Sequence, residues 1–213
     1  MMANNTDIIE ASELCVHFGP ETVFEDVSFC IQSGQKVALE GRSGSGKSTL
    51  FKCLLGFVTP SAGEIRFRGD PLTVQSVWPL RREIAYLSQE PDLGMGTVRQ
   101  ALELPFSYHA NVAKRDNLSR IEPLFERFFL TMAVLDKELP DLSGGQKQRV
   151  ALISAILLDR SVYLLDEATS ALDALSRQAV KAFFVENSST VLWVSHDQPI
   201  HAHPDQTIRL GQG

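Results

Sequence analysis

The stretch KVALEGRSGSGKSTLFKCLLG, residues 36–56, decides the fold of this chain. Residues 36–40 form a short apolar run that predicts a buried strand, and residues 47–55 have the spacing of a helix that ends at Gly56. Between them, GRSGSGKST at residues 41–49 satisfies the spacing G-x-x-x-x-G-K-[ST]. Glycines at these positions let backbone N–H groups converge on phosphate oxygens without a Cβ in the way. The stretch therefore predicts a nucleotide-phosphate site.

Two side chains of this loop have distinct predicted tasks. Lys47 would place a positive charge on the β and γ phosphates of a triphosphate, and the hydroxyl of Ser48 would bind Mg²⁺. A flexible Gly/Ser turn is the simpler interpretation, but it does not explain a position between a strand and a helix. We expect ATP and Mg²⁺ as ligands. The residues expected to bind them here are Gly41, Arg42, Ser43, Gly44, Ser45, Gly46, Lys47, Ser48 and Thr49.

The composition is that of one globular domain. The chain has 213 residues, of which 44% are hydrophobic and 22% charged, and residues 1–213 fit a single core. The formal net charge is −6, without a long Lys/Arg cluster, so we expect no nucleic-acid partner. No apolar stretch approaches the roughly 18 to 20 residues of a spanning helix, so we expect a cytoplasmic chain. The three cysteines form no CxxC pair and are interpreted as core side chains.

The order of predicted elements indicates an α/β layer fold with a parallel core sheet. Predicted strands are residues 13–17, 27–31, 36–40, 162–165 and 191–194, and predicted helices are residues 47–55, 98–104, 118–130 and 175–185. Between residues 90 and 141 the helical spacing and interspersed charges predict a helical insert. Pro123 indicates that the helix around it begins or bends nearby.

A second chemical signal is VYLLDE, an apolar strand that ends in two carboxylates. It belongs beside the glycine loop, at the carboxyl edge of a parallel sheet. Asp166 would hold the Mg²⁺ shell, and Glu167 would polarise the attacking water as the catalytic residue. A buried strand followed by an acidic turn is common by itself. Its pairing with the glycine loop favours the catalytic interpretation.

A second glycine motif, LSGGQKQR at residues 142–149, precedes a helical run that continues to Leu158. Ser143 and the amides of Gly144 and Gly145 would lie at a helix N-terminus, which predicts a second anion site. A plain N-cap turn is the alternative.

Together these motifs resemble the nucleotide-binding subunits of ABC transporters over about residues 13–210. The resemblance rests on the order GRSGSGKST, Gln89, LSGGQ, VYLLDE, SALD and His196. It implies a P-loop NTPase with an N-terminal antiparallel β subdomain and a helical subdomain at about residues 90–141. It also implies an ATPase that works as a homodimer, with each ATP between one copy's phosphate loop and the other copy's LSGGQ segment. A polytopic membrane permease would be the further partner, at the cytoplasmic face of the cell membrane.

The resemblance assigns roles to further residues. Phe18 would stack on adenine, with a packed strand-end aromatic as the alternative. Gln89 would sense Mg²⁺ and the water, and His196 would contact the γ-phosphate, with a structural histidine as the alternative. Asp173 would lie near the dimer seam. The catalytic set would be Glu167, His196, Gln89 and Lys47; the Mg²⁺ set Ser48, Gln89 and Asp166; and the nucleotide contacts from the second motif Ser143, Gly144, Gly145 and Gln146. The chain departs from the family pattern at Ser154, where an arginine is usual.

Within the family, LFERFFL, LDKELPDLSGGQKQR and VLWVSHD look similar to FetA-like (YbbL-like) ATP-binding subunits associated with iron export. The rival interpretation is a soluble cassette ATPase that acts on DNA or ribosomes. DNA-repair cassettes carry a long coiled coil between the two glycine motifs, and translation cassettes usually come in pairs within one chain. A binding module without turnover would be expected to lose the carboxylate of Glu167. The sequence favours a transporter motor that hydrolyses ATP.

Overall fold

The computed structural model describes residues 7–194 and 204–211. Within these ranges the strands are β1 (Asp7–Phe18), β2 (Glu21–Gln32), β3 (Lys36–Glu40), β4 (Ala62–Phe67), β5 (Asp70–Pro71), β6 (Ile84–Leu87), β7 (Val162–Asp166), β8 (Thr190–Val194) and β9 (Gln206–Arg209). The α-helices are α1 (Lys47–Leu54), α2 (Val77–Arg81), α3 (Val98–Glu103), α4 (Ile121–Arg127), α5 (Gly144–Leu157) and α6 (Ala174–Glu186). Short 3-10 helices lie at Leu104–Ser107, Val112–Arg120, Met132–Asp136 and Leu139–Asp141.

The described strands form two sheets. The antiparallel sheet has the order β2-β1-β4-β5, and the parallel sheet has the order β6-β7-β8-β3-β9. In the parallel sheet β7 and β8 are buried along their whole length, as is β3 up to its last residue. Such strands are covered on both faces, which explains their continuous apolar sequences. The predicted α/β fold with a parallel core and an antiparallel β part is confirmed.

The two strands of the first hairpin are longer than predicted. β1 and β2 each span 12 residues, whereas the apolar patterns predicted only residues 13–17 and 27–31. Glu13 and Asp26 have positive φ angles of 50° and 52°, and the pairing register shifts beside both residues. A bulge of this kind breaks the alternation of apolar and polar side chains. The alternation was the signal on which the prediction depended.

The helical insert is less regular than its sequence pattern predicted. α3 matches the predicted helix 98–104, but the predicted helix 118–130 is a 3-10 helix, Val112–Arg120, followed by the short α4. Pro123 lies in the first turn of α4, where a missing N–H costs no intrahelical bond. The helix therefore begins near this proline, as expected.

The three cysteines differ in how deeply they are buried. Cys53 is buried, and burial raises the pKa of its thiol to about 11. Cys15 and Cys30 are only half-buried, so the expectation that all three are core side chains is wrong for these two.

In the described part of the chain, no helix has both the length and the apolar character needed to cross a bilayer.

Candidate active site

The glycine loop that follows β3 closes around a lysine. The side chain of Lys47 is buried, and its Nζ donates hydrogen bonds to the carbonyl oxygens of Gly41 and Arg42, both at 2.8 Å. The ammonium group is thereby held inside the ring of the loop. Its charge is positioned by the chain itself, which suits a site for an anion.

The loop also packs tightly on the antiparallel sheet. Gly46 has a φ of 88°, and a Cβ at this position would lie 2.6 Å from Cγ1 of Val23 and 2.8 Å from Cδ1 of Phe24. Both the backbone angle and the contact require glycine. β2 therefore fixes the loop from one side.

Helix α1 begins directly after the loop with its N-terminus open. Gly46 is the N-cap residue, and no side chain among the described residues caps the first amide groups. Ser48 is exposed in the first turn. Unpaired N–H groups at the start of a helix are a favourable site for phosphate.

The carboxylates at the end of β7 lie at the same edge of the sheet as this loop, because β3 and β7 are parallel strands. Asp166 is buried, and its Oδ2 accepts a hydrogen bond from Oη of Tyr86 at 3.3 Å. Burial of the phenol and the neighbouring Asp166 carboxylate raise the pKa of Tyr86 to about 12. Tyr86 therefore keeps its proton at physiological pH and remains a donor to Asp166.

Glu167 directly follows the last residue of the same strand, β7. Its φ of 52° lies in the left-handed region, which is rare for glutamate, and its amide donates to the carbonyl of Val194 at 3.2 Å. Strained backbone of this kind concentrates at functional sites.

Gln89 reaches this edge from the neighbouring strand. β6 pairs with β7 in parallel, with Leu87 opposite Leu165. Gln89 and Glu167 each lie two residues beyond that pair, so the two segments leave the sheet side by side. The side chain of Gln89 is exposed. The glycine loop, the two carboxylates and Gln89 thus all follow the carboxyl ends of strands in one parallel sheet.

The second glycine motif forms the N-terminus of α5. The amide of Gln146 donates to Oγ of Ser143 at 3.2 Å, and the amide of Ser143 donates to Oε1 of Gln146 at 3.1 Å. This reciprocal capping box closes the helix with its own side chains. The hydroxyl proton of Ser143 remains available as a donor.

The remaining predicted site residues are Phe18, Asp173 and His196. Phe18 is the last residue of β1 and is 53% exposed, so it is not a packed core side chain. Asp173 is the exposed N-cap of α6, where Oδ1 and Oδ2 accept hydrogen bonds from N and Oγ of Ser176 at 2.9 and 2.8 Å. Hydrogen bonds from Ser176 hold the pKa of Asp173 below its usual value. His196 lies outside the described residues.

Sequence reasoning missed two residues that contact these groups. One is Tyr86, the donor to Asp166. The other is Gln148, which is buried in α5 although it is polar. A signal for it existed in the sequence, because Gln148 falls on the same helical face as the buried Leu152 and Ile156, at positions i, i+4 and i+8. A polar residue in an apolar stripe indicates a buried hydrogen-bonding role.

The chain is similar to known proteins over most of its length. The family described as "ABC transporter" matches residues 24–170. The chain is 30% identical to the probable iron export ATP-binding protein FetA of Escherichia coli (strain K12), over 98% of this chain and 93% of that protein. It is 36% identical to the nickel import ATP-binding protein NikE of Escherichia coli (strain UTI89 / UPEC), over 83% of this chain and 70% of that protein.

A solved structure gives a similar result. The ATP-binding cassette MJ0796, in a dimeric post-hydrolysis state bound to ADP and Pi, has a TM-score of 0.78 and is 25% identical, covering 95% of this chain and 94% of that one. The antiparallel sheet, parallel core and glycine loop described above are consistent with this likeness.

Proposed function

We propose that this chain, which belongs to the ABC transporter family and is an ATPase, powers a separate polytopic membrane permease from the cytoplasmic face of the cell membrane. One observation carries the enzymatic part of the proposal. The carboxyl edge of the parallel sheet brings together the loop around Lys47, the carboxylates of Asp166 and Glu167, and Gln89.

The residues at this edge fit a nucleoside triphosphate and a hard cation. The open N-terminus of α1 and the ammonium of Lys47 would hold the phosphates. Ser48, Asp166 and Gln89 offer hydroxyl, carboxylate and amide oxygens, the donors that Mg²⁺ prefers. The cation would offset charge on the triphosphate. Glu167 would orient the attacking water, assisted by Gln89 and His196.

The site assigned to one chain is half of a working site. Phe18, exposed at the end of β1, would stack on adenine. Ser143, Gly144, Gly145 and Gln146 would contact the ATP that is bound to the loop of a second copy. Support comes from their place at the exposed N-terminus of α5 and from the dimeric state of the similar cassette. Asp173 would lie close to the seam between the copies.

The substitution Glu167→Gln tests the enzymatic assignment. Purified Glu167→Gln protein should bind ATP with unchanged affinity, lose at least about 100-fold in turnover and form a dimer when ATP is added. Wild-type protein and Glu186→Gln, a change of an exposed carboxylate on α6, are the controls. Near-normal turnover in the Glu167→Gln protein would remove Glu167 from its catalytic role.

An exposed aromatic surface supports the membrane partner. Phe57 and Trp78 are each 65% exposed, and both stack on the guanidinium of Arg81, whose carbon lies 4.1 Å and 5.1 Å from their ring centroids. Nε of Arg81 also donates to the carbonyl of Leu55 at 2.8 Å, at the end of α1. Aromatic side chains and arginine are enriched in protein interfaces. Because α1 starts at the phosphate loop, this surface is joined to the nucleotide site by one rigid helix.

A membrane-association assay tests this surface. In cells that express the permease, Trp78→Ala should reduce the share of the chain recovered with membranes, while ATP turnover of the purified chain stays within about twofold of wild type. Val185→Ala, which removes an exposed apolar side chain from α6, is the matched control. A chain that stays in the soluble fraction whatever its sequence at residue 78, even with the permease present, would favour the soluble-ATPase alternative.

For the transported substrate we propose iron or another metal ion, moved out of the cell. The likeness to FetA supports export because it spans nearly the full length of both proteins. The likeness to the nickel importer NikE favours the opposite direction and makes import the competing function. In inside-out vesicles that contain the chain and its permease, ATP should drive Fe²⁺ into the lumen. Accumulation only in right-side-out vesicles would identify an importer.

A further inference from the structure

A single buried side chain in α5 connects three segments of the candidate site. Nε2 of Gln148 donates to the carbonyl oxygen of Gln89 at 3.0 Å and to Oγ of Ser170 at 3.2 Å. Its Oε1 accepts a hydrogen bond from the amide of Ala171 at 3.0 Å. Gln148 is 3% exposed. The segment after β6 and the segment between β7 and α6 are therefore both bonded to the helix that begins at Ser143.

The hydrogen bonds of this amide are matched to its chemistry. An amide group has two N–H donors and a carbonyl acceptor, and Gln148 uses both donors and the acceptor. An aliphatic side chain of the same size would leave the Gln89 carbonyl and the Ala171 amide without this partner. A fully satisfied buried polar group fixes the relative position of the elements it joins.

A close backbone contact strengthens the same junction. A Cβ on Gly145 would lie 2.9 Å from the carbonyl oxygen of Ala171, so the first turn of α5 packs directly on this segment. The junction thus has a polar part at Gln148 and a steric part at Gly145. Both hold the segment of residues 170–172 against α5.

We propose that Gln148 is a positioning residue for ATP hydrolysis. By holding the backbone of Gln89, it sets where the Gln89 side chain meets Mg²⁺ and the attacking water. Its helix begins at Ser143, which is proposed to contact the ATP bound to a second copy, so Gln148 would also link the two half-sites that one chain contributes to the dimer. The inference rests on the roles proposed above for Gln89 and Ser143.

The decisive variant is Gln148→Met, which keeps the length and volume of the side chain and removes its hydrogen bonds. We expect kcat to fall by about tenfold or more, while the affinity for ATP, measured by equilibrium binding of a fluorescent ATP analogue, stays within about twofold. Gln148→Glu, which keeps an acceptor for the Ala171 amide but loses both donors, should lower kcat to a similar extent.

Asn111→Ala is the matched control. Asn111 is also a buried amide; its Nδ2 donates to the carbonyl oxygen of Pro105 at 2.8 Å, and its Oδ1 accepts from Nη2 of Arg160, in the segment between α5 and β7, at 2.7 Å. It should lower the melting temperature at least as much as Gln148→Met and leave kcat within about twofold. A structural role alone would predict equal losses of kcat in both variants.

The outcomes separate this inference from the proposed function. Normal kcat in Gln148→Met, with an active wild-type chain and an inactive Glu167→Gln chain, would overturn only the inference. Normal turnover in the Glu167→Gln chain would overturn the catalytic assignment itself. A Gln148→Met chain that loses ATP binding together with turnover would show that the residue supports the fold of the site, and would also overturn the positioning role.

Discussion

Two glycine-rich segments each lead into a helix, at Gly46 before α1 and at Ser143 before α5, and the two helix ends are completed differently. At α1 the N-cap is a glycine without a side chain, and the buried Lys47 supplies positive charge beside the free amides. At α5 a serine and a glutamine cap the first turn reciprocally. We therefore expect the first segment to bind an anion by itself. The second has fewer free amides, and we expect it to act through its exposed hydroxyl and its glycine surface.

Lys47 offers the clearest test of the difference between the two segments. We expect Lys47→Ala to lower ATP turnover by about 100- to 1,000-fold and to weaken ATP binding by the isolated chain, because the first segment holds the triphosphate without help from a second copy. A steady-state phosphate-release assay and equilibrium nucleotide binding measure both effects. Lys52→Ala, an exposed lysine on the same helix, should change neither. Full ATP affinity in Lys47→Ala would mean that the first segment does not bind phosphate alone.

The tight packing of the first segment gives the next largest effect. Gly46→Ala should lower the free energy of unfolding by about 3 kcal/mol, because the left-handed backbone costs about 1–2 kcal/mol and the Cβ meets Val23 and Phe24. Gly69→Ala is the control, since Gly69 has a φ of 83° with open space around it. It should cost only the backbone part, about 1 kcal/mol. Equal losses in urea titrations would remove the contact with β2 from the explanation.

Two alanine substitutions separate the role of the second segment in stability from its role in the dimer. Gly145→Ala should lower the free energy of unfolding by about 1 kcal/mol, because its Cβ would press on the carbonyl oxygen of Ala171. Gly144→Ala should be neutral for stability, since the nearest atom is 3.8 Å from its Cβ. In a Glu167→Gln background, however, Gly144→Ala should weaken the expected ATP-dependent dimer, which size-exclusion chromatography would measure. An unchanged dimer would place Gly144 away from the second ATP.

An effect no larger than that of Gly145→Ala is expected at the helix cap. Ser143→Ala removes the acceptor for the Gln146 amide and should cost about 1 kcal/mol of stability. Binding of ATP by the isolated chain should stay unchanged, because this segment is proposed to face another copy. Weaker ATP binding by the Ser143→Ala monomer would show that both segments belong to one site within a single chain.

The place in the fold of most candidate site residues could be predicted from sequence, because these residues follow strands whose patterns are simple. The parallel strands are buried on both faces, so the runs before Gly41 and Asp166 are continuous and apolar. Parallel pairing then places their carboxyl ends together. No long-range information beyond the strand order is needed to place Lys47 and Glu167 at the same edge of the sheet.

The parts that escaped prediction depend on contacts between distant segments. The bulges at Glu13 and Asp26 break the two-residue period, and no local signal marks them. Gln148 bonds Gln89, 59 residues earlier in the chain, and the partner of such a bond cannot be read from spacing along one helix. Tyr86 and Asp166 are likewise 80 residues apart.

The left-handed backbone of Glu167 has a consequence for how this chain can change over time. Glycine at this position would relieve about 1 kcal/mol of strain, so Glu167→Gly should unfold at a higher temperature than Glu167→Ala. The same change removes the carboxylate that turnover is proposed to need. Among the residues that lack a carboxylate, glycine is therefore the one that this backbone favours. Among variants that have lost Glu167, a library screened only for heat resistance should contain glycine more often than alanine, whereas a library screened for ATP turnover should retain glutamate.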